Sequence, residues 1–320
     1  MLLVTGGAGF IGSHLVDRLL GRGDDVLCID DFNNSYDPAI KRQNIDNHLT
    51  SRNFTLIEAD IRDFDAMERV FKGHKISKVV HLAARVGVRQ SVDDPLPYER
   101  TNILGTLTLL ELSRRYEIEH FVFASSSSVY GAQTRVPFTE DMCIDRTVSP
   151  YAATKYAGEL MCRTYHHLHG FPVTCLRFFT AYGPRQRPEM AIHKFTRLIF
   201  EGKPIPLFGD GSTRRDYTYV DDIIQGVVAA VDRAIGFEIF NLGESSTVSL
   251  RDLIINLEMI SGRKAILDLQ PQQPGDIEVT YANVSKARRL LDYNPTTTIQ
   301  RGLKAFIEWF EHNQIVRSGF

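Results

Sequence analysis

Met1-Leu2-Leu3-Val4-Thr5 is a short apolar run that passes directly into Gly6-Gly7-Ala8-Gly9-Phe10-Ile11-Gly12, and beyond it Ile11, Leu15 and Leu19, with Val16 and Leu20, recur at helical spacing. Strand, glycines and helix therefore follow in the order that lets a chain turn tightly and aim helix N-terminal amides at a pyrophosphate. A glycine pattern alone fits an ordinary turn; its place between a strand and a helix favours the dinucleotide reading. The next apolar strand, Val26 to Asp30, ends in a carboxylate that can accept hydrogen bonds from both hydroxyls of an adenosine ribose. A 2′-phosphate would be repelled there, and no Arg lies in Asp31-Phe32-Asn33-Asn34-Ser35, so NAD is expected rather than NADP. Asp60 follows a further strand and is a candidate for the adenine amine; an N-cap for the helix beginning near Asp63 explains it equally well.

Outward from this unit the pattern repeats. Apolar runs at Phe54 to Glu58, Lys78 to Leu82, His120 to Ser125 and Val173 to Phe178 are separated by helical stretches such as Asp63 to Phe71 and Ile103 to Arg115. Alternating βα units predict a Rossmann-type, doubly wound parallel sheet with helices on both faces. After Thr180, Pro and Gly at 183, 184, 188, 202, 204, 206, 209 and 211 break the repeat. The expected division is a cofactor domain over 1–180 and a smaller α/β substrate domain over 181–320, with a segment near 215–242 returning to the first. Phe237 to Leu242 and the helices Leu250 to Ser261 and Ile299 to Phe310 are too few for a second doubly wound sheet and suit a cap.

Composition narrows the classes. The 320 residues carry 37 Lys plus Arg against 39 Asp plus Glu, which excludes a nucleic-acid binder resting on bulk charge. Hydrophobic residues at 43% and charged residues at 24% suit a packed core rather than a disordered chain. Asp, Arg, Lys or His interrupts every apolar stretch well before about 18 residues, so no membrane span is expected. The start shows no basic n-region or cleavage site, and secretion by that route is not expected. Cys28, Cys143, Cys162 and Cys175 lie far apart with no C-x-x-C and read as reduced, structural thiols of a cytoplasmic protein.

The strongest chemical signal lies further along. Tyr151 and Lys155 are four residues apart, on one face of a helix that Pro150 can open. Such a pair is common by chance and gains weight from the glycine turn upstream. A tyrosine titrating near pH ~10 must fall by about 3 units, about 4 kcal/mol, to act as a base at neutral pH. One ammonium about 4 Å away contributes about 4 kcal/mol at an effective dielectric of about 20, and an oxidised nicotinamide ring adds to it. Lys155 with bound NAD is thus expected to suffice.

Taken with His81-Leu82-Ala83-Ala84, Ser125-Ser126-Ser127-Ser128-Val129-Tyr130-Gly131 and Arg215-Asp216-Tyr217, these residues resemble the extended short-chain dehydrogenase/reductase family, and within it the nucleotide-sugar 4-epimerases, over essentially the whole chain. The resemblance implies catalytic roles for Ser126, Tyr151 and Lys155. It implies NAD contacts at Gly6, Gly9, Phe10, Ile11, Gly12, Asp30, Asp31, Asn34, Ser35, Asp60, Ile61, Leu82, Ala83, Ala84 and Asn102, beside Tyr151 and Lys155. Related 4,6-dehydratases carry an acid pair, and related decarboxylases a Glu, within the positions held here by Ser126-Ser127-Ser128; elimination needs such an acid, so the serines point to epimerisation.

The stretch Arg177 to Ala191 resembles that of UDP-glucuronate 4-epimerases, with Thr180 where galactose-type enzymes usually have Asn. A 4-keto uronic acid loses CO₂ easily, so its carboxylate must stay charged and hydrogen-bonded. Ser127, Ser128 and Thr180 offer hydroxyls, and Arg187 or Arg185 charge; a solvated surface arginine is the equal alternative for each. The resemblance places Arg215 on the UDP pyrophosphate, and Arg89, after the strand end at Leu82-Ala83-Ala84, is a candidate for the same region. The resemblance places Asp276 on the uridine ribose, although Gln273 stands where an Arg is usual, and Arg214 is a candidate replacement.

Other features have plainer readings. His166, His167 and His169 lack carboxylate or Cys companions, and no metal is expected. Trp309 reads as helix packing with Leu303, Phe306 and Phe310. The runner-up substrates are UDP-glucose and UDP-N-acetylglucosamine, and a different class is a dinucleotide-binding sensor without chemistry, which commonly lacks the Tyr or Lys. Helices over Tyr98 to Arg115 and Tyr151 to His169 resemble those that pair in dimers of the family, so a homodimer is expected, with a UDP-sugar as the small-molecule partner and no nucleic acid or membrane.

Overall fold

The computed structural model describes residues 1–271 and 277–318, with backbone alone for 314–318. Gln273, Gly275 and Asp276, named above for the uridine ribose, lie outside the described residues.

The first half runs β1 (Leu2–Thr5), α1 (Phe10–Gly21), β2 (Val26–Asp30), α2 (Pro38–Ile45), β3 (Phe54–Glu58), α3 (Phe64–Gly73), β4 (Lys78–His81), α4 (Val88–Asp93), the single turn α5 (Leu96–Tyr98), α6 (Gly105–Arg115), β5 (His120–Ser126), α7 (Pro150–His169) and β6 (Val173–Phe178). β1, β2 and β5 are buried along their whole length, the mark of strands covered on both faces, and read as unbroken apolar runs for that reason. Between α5 and α6 the chain does not break, in keeping with the helix expected over Tyr98 to Arg115. A wide π-type turn over Glu99–Leu104 carries the helix through.

The remainder runs β7 (Thr180–Tyr182), α8 (Ala191–Phe200), β8 (Pro204–Phe208), β9 (Arg214–Arg215), β10 (Tyr217–Tyr219), α9 (Val220–Asp232), β11 (Phe237–Leu242), β12 (Val248–Ser249), α10 (Leu250–Ser261), β13 (Ile266–Gln270), α11 (Ser285–Leu291) and α12 (Ile299–Ser318). The main sheet is seven-stranded and parallel, in the order β11-β6-β5-β4-β1-β2-β3. β11 pairs with β6, which puts Phe237–Leu242 in the main sheet rather than in the cap.

Three apolar clusters hold the layers. Leu15, Val16 and Leu19 of α1 pack with Ile223 and Val227 of α9 on one face of the sheet, and Val70, Leu109 and Cys162 from α3, α6 and α7 cover the other. The cap has its own core of Ile192, Phe195, Leu253, Leu257, Leu303 and Phe306, with Trp309 packed against it. Successive strands on either side of β1 wind in opposite senses, so a crevice opens at its C-terminal end, beside Gly6.

Candidate active site

A cavity of about 370 Å³ occupies that crevice, running from the glycine turn to Thr180 and Arg187. At the glycine end the backbone is packed against itself. Gly6 has a φ of +68°, and a Cβ there would lie 2.8 Å from the Ala83 backbone, while a Cβ on Gly12 would lie 2.1 Å from the Gly6 carbonyl oxygen. α1 has no side-chain cap at Gly9 and no acid in its first turn, so the amides of its first residues face the cavity without an internal anion. These observations fit a dinucleotide pyrophosphate.

Asp30 accepts hydrogen bonds from the Ala8 and Phe32 amides at 3.2 and 3.0 Å, and the buried Lys41 ammonium stands 3.7 Å away. Burial pushes the Asp30 carboxyl up, and Lys41 pulls it back. Sequence reading missed Lys41. It belongs to α2, where a lysine among polar neighbours gives no local sign of facing inward, and it shows that a cation does stand by this cavity-lining carboxylate.

Most of the expected cofactor contacts line the cavity: Gly6, Gly9, Phe10, Ile11, Gly12, Asp30, Asp31, Ser35, Asp60, Ile61, Leu82, Ala83, Ala84, Tyr151 and Lys155. Two do not. Asn34 is exposed, and its neighbour Asn33 lines the wall instead. Asn102 is turned inward by the π-type turn; its carbonyl accepts from the Arg85 amide, and its NH₂ donates to Arg85 O and Thr154 Oγ1. It braces the loop after β4 rather than facing the cavity. Asp60 is gripped by Arg62, which holds its carboxyl below the usual range, and the helix cap is Asp63, whose carboxylate accepts from the Ala66 amide.

Beneath the glycines runs a directional chain. Thr106 Oγ1 donates to Asn102 O, so His81 Nε2–H donates to Thr106 and Nδ1 accepts from Thr5 Oγ1, which itself accepts from the Ala83 amide. This ties β1 and β4 together at their cavity ends. Burial, with Lys155 nearby, drives His81 down to about 3, so it stays neutral.

Ser149 caps α7 by accepting from the Ala152 amide, and Pro150 follows at the first turn. Tyr151 and Lys155 then share a buried face, 7% and 4% exposed. The Ser126 hydroxyl accepts from the Ser128 amide and donates to the Ser128 hydroxyl, both at 3.1 Å, and lines the cavity together with Tyr151. Lys155 Nζ donates to Ala124 O at 2.7 Å. Burial pushes Tyr151 above its ordinary value, with Ser126 and Arg187 pulling it back, and burial pushes Lys155 down to about 8. The chain alone therefore does not deliver the lowered tyrosine expected from Lys155: the ammonium is turned to a carbonyl, and desolvation outweighs the charges present.

At the far end the two arginine candidates separate. Arg187 lines the cavity with Ser127, Ser128 and Thr180, whereas Arg185 turns away to pair with Asp17 of α1 at 2.7 Å. Thr180 and Met190 also line an adjoining cavity of about 310 Å³ that holds Arg89, Lys194, Phe208 and Arg215. Phe208, unremarked in the sequence, packs under the Arg89 guanidinium at 5.0 Å. Arg214 lies outside this cavity, its guanidinium bonded to Thr247. Asp216, fully buried, accepts from the amides of Glu244, Ser245 and Ala282 and from Thr218 Oγ1, which knots the strand bearing Arg215 to the rest of the cap.

The histidines at the end of α7 have local partners, His166 Nδ1–H donating to Phe171 O beside the left-handed cap at Gly170. Among the described residues no group of three or more His, Cys, Asp or Glu is arranged to hold a metal. All four cysteines are free, and only Cys143 is exposed.

A family described as GDP-mannose 4,6 dehydratase matches residues 3–306, a span that includes every residue lining both cavities. The chain belongs to this family of extended short-chain dehydrogenases/reductases. Within it, a UDP-glucuronate 4-epimerase of Thermodesulfobacterium geofontis is 43% identical over 99% of this chain and 98% of that protein. The crystal structure of UDP-glucuronic acid 4-epimerase from Bacillus cereus, in complex with UDP-glucuronic acid and NAD, superposes with a TM-score of 0.92 at 39% identity, covering 98% of this chain and 99% of that one. A UDP-glucose 4-epimerase of Thermotoga maritima, solved with UDP-glucose, reaches 0.90 at 34% identity, covering 98% and 99%. The family takes its description from a dehydratase, yet the acid pair of such enzymes is absent here, where three serines stand.

Proposed function

We propose that this chain is an NAD-dependent isomerase that inverts C4 of UDP-glucuronate to give UDP-galacturonate. One observation carries this reading: the Ser126 and Tyr151 hydroxyls line a single cavity between a glycine cradle and a wall of Ser127, Ser128, Thr180 and Arg187. Bound NAD would supply a hydride acceptor that then returns the hydride, together with a positive ring that favours the Tyr151 phenolate. Gly6, Gly9 and Gly12 would hold its pyrophosphate, and Asp30 its adenosine ribose. Tyr151 takes the proton from the C4 hydroxyl while Ser126 hydrogen-bonds O4, and a 4-keto sugar forms. The sugar turns within the pocket, the hydride reaches its opposite face, and Tyr151 returns the proton. Lys155 keeps positive charge beneath the tyrosine. Arg89 and Arg215 clamp the diphosphate, while Arg187 and the hydroxyls of Ser127, Ser128 and Thr180 hold the carboxylate solvated and charged, which opposes CO₂ loss.

In this reading residues 1–180, with the segment near 215–242, serve the cofactor, and the rest of 181–320 serves the nucleotide sugar. The protein acts in the cytoplasm, in keeping with four free thiols, and no described helix is long and apolar enough to cross a membrane. Leu104 and Leu107 along the π-type turn and α6, and Leu160 and Leu168 on α7, are exposed, which supports a homodimer through these helices.

NMR of the purified protein with UDP-glucuronate and no added NAD tests the proposal: UDP-galacturonate should appear without UDP-pentose. Release of CO₂ would sink it, and turnover of UDP-glucose alone would move the assignment to the neutral-sugar epimerases. Tyr151→Phe should lower kcat by about 10²-fold or more, since it removes the acid–base group.

A further inference from the structure

Arg187 is not presented to the cavity alone. Its Nη1 pairs with Glu189 Oε1 at 3.0 Å, the arginine side chain 19% and the glutamate 38% exposed. Glu189 does not line the catalytic cavity. It lies behind Arg187, facing the adjoining arginine-lined cavity and the cleft beside Trp309. We infer that Glu189 is a specificity-determining residue, an internal carboxylate that holds Arg187 until the carboxylate of a uronate substrate displaces it.

The backbone around the pair is fixed, so exchange of partners is left to the side chains. Pro184 O accepts from His14 Nε2–H at 2.9 Å and Arg185 pairs with Asp17, both on α1. The Gln186 backbone amide donates to Gly183 O, its side-chain NH₂ donates to Ala181 O, its side-chain carbonyl accepts from the His193 amide, and the Met190 amide donates back to Arg187 O. Electrostatically the pair acts in opposition: Arg187 pulls Tyr36 and Tyr98 down, and Glu189 pushes both up. Arg187 also pulls on Tyr151. A neutral hexose offers nothing to compete for the guanidinium. A uronate does, and its net gain is what remains after Arg187 leaves Glu189. The glutamate thus weakens uronate binding selectively, and with it the hold on a uronate product that must depart.

This inference rests on the uronate reading above, and the two fail separately. Calorimetric Kd values for UDP-glucuronate, UDP-glucose and UDP are compared in the intact protein and in Glu189→Gln. Absence of UDP-glucuronate turnover in the wild type defeats the functional reading. With turnover present, Glu189→Gln should tighten UDP-glucuronate about fivefold more than it tightens UDP-glucose or UDP, the scale of a half-exposed ion pair. In Arg187→Gln, adding Glu189→Gln should tighten UDP-glucuronate no more than UDP. A Kd for UDP-glucuronate that rises or stays constant overturns the inference, as does equal tightening of all three ligands. A purely structural glutamate would weaken binding on removal, so the direction of the change is decisive.

Discussion

The two ends of the catalytic cavity are built on different principles. At the glycine end, neighbouring backbone segments approach so closely that side chains are excluded, and the surroundings of Asp30 and His81 are fixed by hydrogen bonds and burial. At the Thr180 end, the walls are side chains from distant parts of the chain, Arg89, Arg187, Phe208 and Arg215, held by ion pairs and ring contacts that side-chain torsions can rearrange. A cofactor that stays through turnover suits the first kind of wall, and a substrate that must enter, turn and leave suits the second.

The largest test of this contrast is Gly12→Ala. A Cβ placed 2.1 Å from a carbonyl oxygen of the same turn cannot be absorbed by a rotamer change. It should cost about 3 kcal/mol of stability and leave the purified protein without NAD, read by thermal unfolding and by the nucleotide released on denaturation. Arg187→Gln, at the other end, should leave unfolding and NAD content unchanged. It should raise KM for UDP-glucuronate about tenfold, the scale of one charge-assisted contact, with the Kd for UDP constant. If both substitutions cost stability alike, the contrast fails.

The smallest effect is in pH. His81 is driven from its ordinary 6.5 to about 3, so between those values the unfolded chain binds the extra proton, and this contribution to stability is present above pH 6.5 and lost as pH falls. Glu244, in the cap, is raised by burial, with Asp222 and Asp216 adding to it, from 4.5 to about 7. There the folded chain holds the extra proton, and stability is lost as pH rises from 4.5 through 7. Its Oε2 has no partner. Glu244→Gln should therefore raise Tm at pH 8 by about 2 °C and change it little at pH 4.5. Loss of Tm on acidification from pH 6.5 should persist in the variant, because it originates in the cofactor half.

The same contrast explains what could be read from sequence. The glycine turn, Asp30, and Tyr151 with Lys155 are local patterns, carried by a few consecutive residues or by one helical turn. Lys41 escaped because its inward direction depends on how α2 packs. The choice between Arg185 and Arg187 depended on Asp17, 168 residues away in sequence. Asn102 was assigned to the cofactor because a π-type turn, which rotates a side chain off the ordinary helical face, leaves no mark in residue spacing. Phe208 lies in a Pro-rich strand of the cap that meets Arg89 only in the folded chain. The fall in tyrosine pKa expected from Lys155 with bound NAD left out desolvation, which is the largest influence on Tyr151 in the chain without cofactor.

The return of β11 to the edge of the main sheet bears on how the chain comes off the ribosome. β6 is complete at Phe178, but the strand that covers its edge ends at Leu242, and α9, which covers part of one face, ends at Asp232. For some sixty residues of synthesis, a buried-type strand waits with its edge open, the condition under which nascent sheets join one another. The first part of the cap, α8 to β10, is therefore made inside an unfinished sheet and the rest after it, and a premature stop before Leu242 would release a sticky fragment instead of a working cofactor domain.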